Sequence, residues 1–233
     1  GRATRRVARP RGYGRIMRVV VTGAAGQTGR LVVAGLVAAG HDVLGVVRRP
    51  EQVQPLEEHG ASAELADLTQ LAPTEWRRLA DEADAVVWAA GAGFGGDPQA
   101  VDAEACVAAQ QAADAAGVAR WVQVSSMYAD RPAEGPEFMR AVLEAKNTAD
   151  ASLAVTALGW TVVRPGGLTN DIGTGQVYVG QRLTGGTVPR DDLAAVVVAC
   201  LHDAGTARTA FDLVGGRTPV AEAVASLVQE PQL

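Results

Sequence analysis

A chain of 233 residues has room for one well-filled α/β domain, with at most a small appendage, and is too short for two full-sized ones. Its apolar fraction of 48% with only 4% aromatics comes mostly from Ala, Val and Leu, a composition suited to parallel strands covered by helices on both faces. The net charge of −5 hides an asymmetry: residues 1 to 16 carry six arginines and no acid, so Met17 onward holds fifteen basic against 26 acidic residues, which argues against nucleic acid as a partner.

The Arg-rich tail lacks the apolar core of a signal peptide. It is expected to be a disordered extension, or an upstream-read start with Met17 as the functional beginning. Val19 to Val21 then forms a short apolar strand, and Leu31, Val32, Gly35 and Leu36 carry a helical period. Between them lies a turn punctuated by Gly23, Gly26 and Gly29, with Ala25, Gln27 and Thr28 as further cofactor-binding candidates. The first glycine permits a tight exit from the strand, the second lets a pyrophosphate approach the backbone, and the third lets helix and strand pack closely. Unpaired N–H groups at the helix start would hold the diphosphate. A purely structural turn is the alternative.

His41 to Val47 is a second strand, ending at Arg48-Arg49-Pro50. An acid about twenty residues past the glycines binds the ribose hydroxyls of NAD, whereas arginine accommodates the 2′-phosphate of NADP, so Arg48 and Arg49 favour NADP(H), with NAD(H) as the alternative ligand. A solvated arginine pair beside a helix start is the plainer reading. Pro50 opens a short helix over Glu51 to His59, closed by Gly60. Ala61 to Leu65 is a third strand, followed by Asp67-Leu68, where Asp67 can cap the next helix, Leu71 to Ala80. Asp84 to Ala89 is a fourth strand, and Ala90-Gly91 opens a Gly-rich loop expected to be mobile.

Asp97 to Ala116 is a long Ala-rich helix stopped by Gly117, and the strand Arg120 to Val124 delivers Ser125 and Ser126 to its carboxyl end. Five β–α units in succession predict a doubly wound parallel sheet, an α/β Rossmann architecture with ligands at the carboxyl ends of its strands. Beyond it come a helix over Glu137 to Leu158, a strand Trp160 to Arg164 and a turn at Pro165-Gly166-Gly167-Leu168. A Gly- and Thr-rich stretch follows, with one short strand at Gln176 to Val179. A helix from Arg190 to His202, a strand Ala210 to Val214 and a terminal helix from Pro219 complete the chain. Residues from about 165 onward form a small C-terminal portion of the same domain. Cys106 and Cys200 lack metal-ligand spacing and read as buried apolar residues in a reducing compartment. His41, His59 and His202 lie near element ends and read as surface or capping groups. No apolar run reaches the roughly 18 residues that cross a membrane. A cytoplasmic monomer or homodimer is expected, acting on a small-molecule substrate or redox acceptor, with no metal.

Taken together, TGAAGQTG, the arginine pair, ADL, AAG, VSSMYAD, LEAKNTAD and VVRPGGLTND resemble an atypical short-chain dehydrogenase/reductase. The group is that of small NAD(P)-binding proteins allied to NmrA-like and biliverdin-reductase-B-like reductases, and the likeness spans about residues 17 to 228. The resemblance implies that Asp67 and Leu68 meet the adenine ring, that Ala90 and Gly91 let the dinucleotide lie across the strand end, and that Pro165, Gly166 and Gly167 also border it. It further implies that Lys146 meets the nicotinamide ribose, that Ser125 or Ser126 orients an acceptor, and that the segments at about 165–233 complete the substrate pocket. One departure matters. The family places a Tyr four residues before the Lys, one turn away on the same helix face, to exchange a proton with the substrate; here Val142 stands there. Tyr128 could supply a hydroxyl from another direction, or simply pack. The expected function is therefore a reductase passing hydride from NADPH to a flavin, quinone or carbonyl. The alternatives are a non-catalytic NAD(P)(H) sensor and, disfavoured by Val142, a nucleotide-sugar epimerase or dehydratase.

Overall fold

The computed structural model describes residues 15–93 and 95–228, so the expectation for the tail lies almost wholly outside the described residues. Along them run β1 (Arg18–Thr22), α1 (Gly29–Ala38), β2 (Asp42–Val47), α2 (Val53–Glu58), β3 (Ser62–Leu65), α3 (Pro73–Asp81), β4 (Ala85–Trp88), α4 (Cys106–Ala116), β5 (Arg120–Val124), α5 (Arg140–Ala154) and β6 (Gly159–Pro165). The remainder holds β7 (Gly167–Thr169), β8 (Gln176–Gly180), β9 (Thr187–Pro189), α6 (Arg190–His202), β10 (Thr209–Gly215), β11 (Thr218–Pro219) and α7 (Val220–Ser226). The main sheet has the order β11-β8-β10-β6-β5-β4-β1-β2-β3. From β3 through β10 every pairing is parallel, and β8 joins antiparallel to β10 and β11.

This is the doubly wound Rossmann order, and it follows from the two-sided apolar strands. In β1, Val19 and Val21 face a core shared with α1, α6 and α7, while Val20 faces the opposite layer with α3, α4 and α5. That second layer gathers all four tryptophans, with Trp160 at its margin: Trp88 and Trp121 stack with ring centroids 6.2 Å apart, and Trp76 meets Trp88 at 6.1 Å. The strand order reverses between β1 and β4, which opens a crevice at their carboxyl ends.

Helix ends follow local chemistry. Pro73 starts α3, where the Glu75 carboxylate accepts the Ala72 N–H at 2.8 Å. Gly117 ends α4 in a left-handed conformation, φ +72°.

Three expectations need correction. The helix read as Asp97 to Ala116 begins with a π-helical turn over Gln99–Ala105 before α4. The stretch Glu137 to Leu158 is a 3₁₀ turn at Glu137–Met139 and then α5, which stops at Ala154. Residues 165–168 are not a turn: Pro165 ends β6, and β7 pairs in parallel with β9 in a small second sheet. That pairing satisfies backbone groups through partners twenty residues away, which no local pattern announces.

Candidate functional site

Two adjoining cavities lie along the carboxyl edge of the sheet. The first, about 200 Å³, is lined by Gly23, Ala25 and Gly26 of the first turn, by Val46 to Arg48 after β2, by Ala66 to Thr69 after β3 and by Ala89 to Ala92 after β4. Gly23 has φ +67°, and a Cβ there would come within 2.7 Å of Ala90 Cα. The two strand exits thus touch through the missing side chain. A Cβ on Gly29 would sit 2.0 Å from the Gly23 carbonyl oxygen, so α1 starts hard against the turn. α1 has no acid in its first turn and no side-chain cap. Among the described residues, the N–H groups of Ala25, Gln27 and Thr28 make no hydrogen bond, leaving donors at the positive end of the helix dipole. A glycine-framed cradle with spare amide donors fits a dinucleotide diphosphate.

The second cavity, about 560 Å³, shares Ala89, Ala90 and Gly91 with the first. Thr28, Ser125, Ser126, Tyr128, Val142, Lys146, Pro165, Gly166 and Gly167 line it, closed by Pro136, Phe138 and Met139 and by Gly185-Gly186. Its wall is largely apolar, and Lys146 is the one charged lining group among the described residues. Lys146 Nζ lies 2.9 Å from the buried Asp102 carboxylate and donates to Val124 O at 3.2 Å.

The anticipated residues separate into groups. Gly23, Ala25, Gly26, Arg48, Asp67, Leu68, Ala90 and Gly91 come together at the first cavity. Thr28, Ser126, Tyr128, Lys146, Pro165, Gly166 and Gly167 border the second. Arg49 does not join Arg48: successive side chains of an extended segment point apart, and Arg49 pairs with Glu51 at 3.2 Å while lining a groove between α1 and α2. Gln27 is exposed and lines neither cavity, and Gly29 is buried packing. The two serines also part. Ser125 Oγ donates to Asp150 Oδ2 at 3.0 Å, whereas Ser126 is half-exposed and donates only to its neighbour's carbonyl, Met127 O, at 3.2 Å.

Electrostatics reinforces this division. Burial pushes the Asp150 carboxyl up, against the pull of Arg164 and of hydrogen bonds from Ser125 and Gln123. Hydrogen bonds from the Thr69 amide (3.0 Å) and hydroxyl (2.8 Å) hold Asp67 below the usual carboxylate range, with Arg48 adding to the effect. Cys106 and Cys200 are buried, as expected, and burial pushes the Cys106 thiol far up and Cys200 up to about 12, which leaves both unreactive. Tyr128 holds φ +71°, a left-handed conformation rare for a bulky residue, with the Arg131 guanidinium 4.8 Å above its ring.

Asp102 was missed by sequence reasoning. Its signal was its place on the helical face of Cys106, Ala109 and Ala113, where a carboxylate is out of keeping with its neighbours.

A family model described as NAD(P)H-binding matches residues 23–204. The chain is 39% identical over 215 residues, 91% of its length and all of the relative's, to a Bacillus subtilis protein named "Uncharacterized sugar epimerase YhfK". It is 30% identical over 228 residues, 84% of this chain and 54% of the relative, to the "Divinyl chlorophyllide a 8-vinyl-reductase, chloroplastic" of Zea mays. A solved Bacillus halodurans structure, described as a "Putative NAD-dependent epimerase/dehydratase", superposes with a TM-score of 0.85 at 33% identity, covering 90% of this chain and 99% of the other. No helix among the described residues is long and apolar enough to cross a membrane. The glycine cradle, the strand order and these likenesses agree: the chain belongs to the NAD(P)H-binding family, as an atypical short-chain dehydrogenase/reductase with a Rossmann fold.

Proposed function

We propose that this protein is an NADP(H)-dependent reductase acting on a small conjugated acceptor such as a quinone, flavin or carbonyl. The observation that carries the reading is the second cavity, which continues from the first through Ala89, Ala90 and Gly91. A protein that only bound the dinucleotide would have no need of it. In this reading the start of α1 holds the diphosphate, Arg48 meets the 2′-phosphate, Asp67 and Leu68 border the adenine, and Lys146 reaches the nicotinamide ribose. NADPH, when bound, supplies a hydride. Ser126 and Tyr128 face the acceptor, and the apolar wall excludes water from it. With Val142 in place of a phenol, no side chain one turn before Lys146 can pass a proton. Conjugated rings spread the incoming negative charge over several atoms and take up their proton from solvent once released, so they suit such a site. The Zea mays relative, named as a vinyl-reductase, points the same way.

Val142 also favours the sensor alternative, as does the commitment of the Ser125 hydroxyl to Asp150. Epimerase or dehydratase chemistry on nucleotide sugars follows the names of two relatives. It would require cations for a second diphosphate, and the second cavity presents only Lys146, already matched by Asp102. The test is loss of NADPH absorbance against a panel of quinones, flavins, carbonyls and nucleotide sugars. Turnover with the conjugated acceptors is expected. Tight NADPH binding without oxidation by any of them would overturn the reductase in favour of the sensor.

A further inference from the structure

Asp102 is 3% exposed, and its two oxygens serve two different parts of the site. Oδ1 lies 2.9 Å from Lys146 Nζ on α5, and Oδ2 accepts the N–H of Ala92 at 2.9 Å, in the Gly-rich segment after β4. A carboxylate this deeply buried persists only when paired. The backbone around it is adapted to the contact. Asp102 sits in the π-helical turn Gln99–Ala105, a wider turn that frequently occurs at functional sites. A Cβ on Gly91 would come within 3.2 Å of Oδ1, so the segment approaches the carboxylate closely because that side chain is missing.

We propose that Asp102 is the positioning residue of the nicotinamide half of the site. It fastens the Lys146 ammonium and the first residues of the Gly-rich segment into one unit before any ligand arrives. The proposal rests on the reading of the cleft as a dinucleotide site. Lysine carries a long, freely rotating stem, and holding its head between Asp102 and Val124 O settles the ordering cost in the free protein. A merely structural ion pair between two helices makes a different prediction: its loss would weaken every ligand alike, through the fold.

Asp102→Asn keeps an acceptor for the Ala92 N–H and removes the charge. Calorimetric titration with NADPH and with adenosine 2′,5′-bisphosphate, which carries only the adenosine half, separates the two cases. NADPH affinity should fall about tenfold, the size of one charge-assisted hydrogen bond, while the bisphosphate stays within about twofold. In a Lys146→Met background, adding Asp102→Asn should change NADPH affinity by less than about twofold, because the residue acts through the lysine. No loss of NADPH affinity, an equal loss for both ligands, or a full further loss in the Lys146→Met background would each overturn the proposal. Should Asp102→Asn alone fail to fold, the double variant, which leaves no buried charge, is compared with Lys146→Met: equal NADPH affinity supports the proposal and a further loss overturns it. Wild-type protein that binds neither ligand would instead defeat the dinucleotide reading itself.

Discussion

Gly26 separates a dinucleotide cradle from a turn that merely needs small residues. It is exposed, its φ is not in the left-handed region, and an added Cβ would meet only the Gly23 carbonyl oxygen, at 3.1 Å. Relief of that contact takes a shift of a few tenths of an ångström, and alanine restricts the unfolded chain in compensation. Gly26→Ala should therefore leave stability within about 1 kcal/mol of wild type. Gly26, however, lines the first cavity. If a diphosphate lies against that backbone, NADPH affinity should drop ten- to a hundredfold, about 1.4–2.7 kcal/mol. Gly29→Ala is the counterpart. Its Cβ would sit 2.0 Å from Gly23 O and 2.8 Å from Gly23 C, so α1 must separate from the turn at a cost of about 3 kcal/mol or more. For a domain of this size, that lowers Tm by roughly 6–12 °C. Thermal melts and fluorescence titration with NADPH measure both effects. A Gly26→Ala protein that binds NADPH within twofold of wild type would show that the glycine only shapes the turn, and the reasoning from motif to ligand would fail.

Arg48→Ala should cost NADPH about tenfold in affinity and leave NADH nearly unchanged, whereas Arg49→Ala, on the other side of the strand end and paired with Glu51, should change the affinity for neither; equal effects in paired titrations would refute the division. Ser125→Ala strips a donor from the buried Asp150 and should lower stability by about 1–3 kcal/mol in urea unfolding. Ser126→Ala should instead slow NADPH oxidation at unchanged stability, and the reverse pattern would misassign the pair. His41 accepts the Met17 N–H on Nδ1 and meets His202 Nε2 at 2.6 Å, and burial followed by the facing His202 lowers its pKa from 6.5. Folding thus favours neutral His41: its contribution is complete above about pH 6.5 and is lost as pH falls below that value. Tm should decline from pH 7 to pH 5, with a shallower slope in His202→Ala; parallel slopes would exclude the pair as the cause.

Much of this was legible in the chain because it is local. The alternation of Val19, Val20 and Val21 between two cores, the glycines at 23, 26 and 29, and Arg48 at the end of β2 each depend on neighbours within a few residues. The side-chain period and backbone sterics encode them directly. The departures have a common origin. β7 and β9 are three residues each and form only because each finds the other, and α5 stops at Ala154, short of the apolar residues Val155 and Leu158 that prolong its pattern. Ser125 reads as a site hydroxyl until Asp150, on another element, claims it.

The sequence alone determined that this chain folds as a parallel α/β sheet with a glycine-framed turn at its first strand end, since backbone conformation and apolar periodicity are properties of short segments. Which charges face one another was decided only by the tertiary structure. Asp102 and Lys146 lie on separate helices, and the pairing of a buried carboxylate depends on what the packed core brings within 3 Å rather than on anything adjacent in the chain.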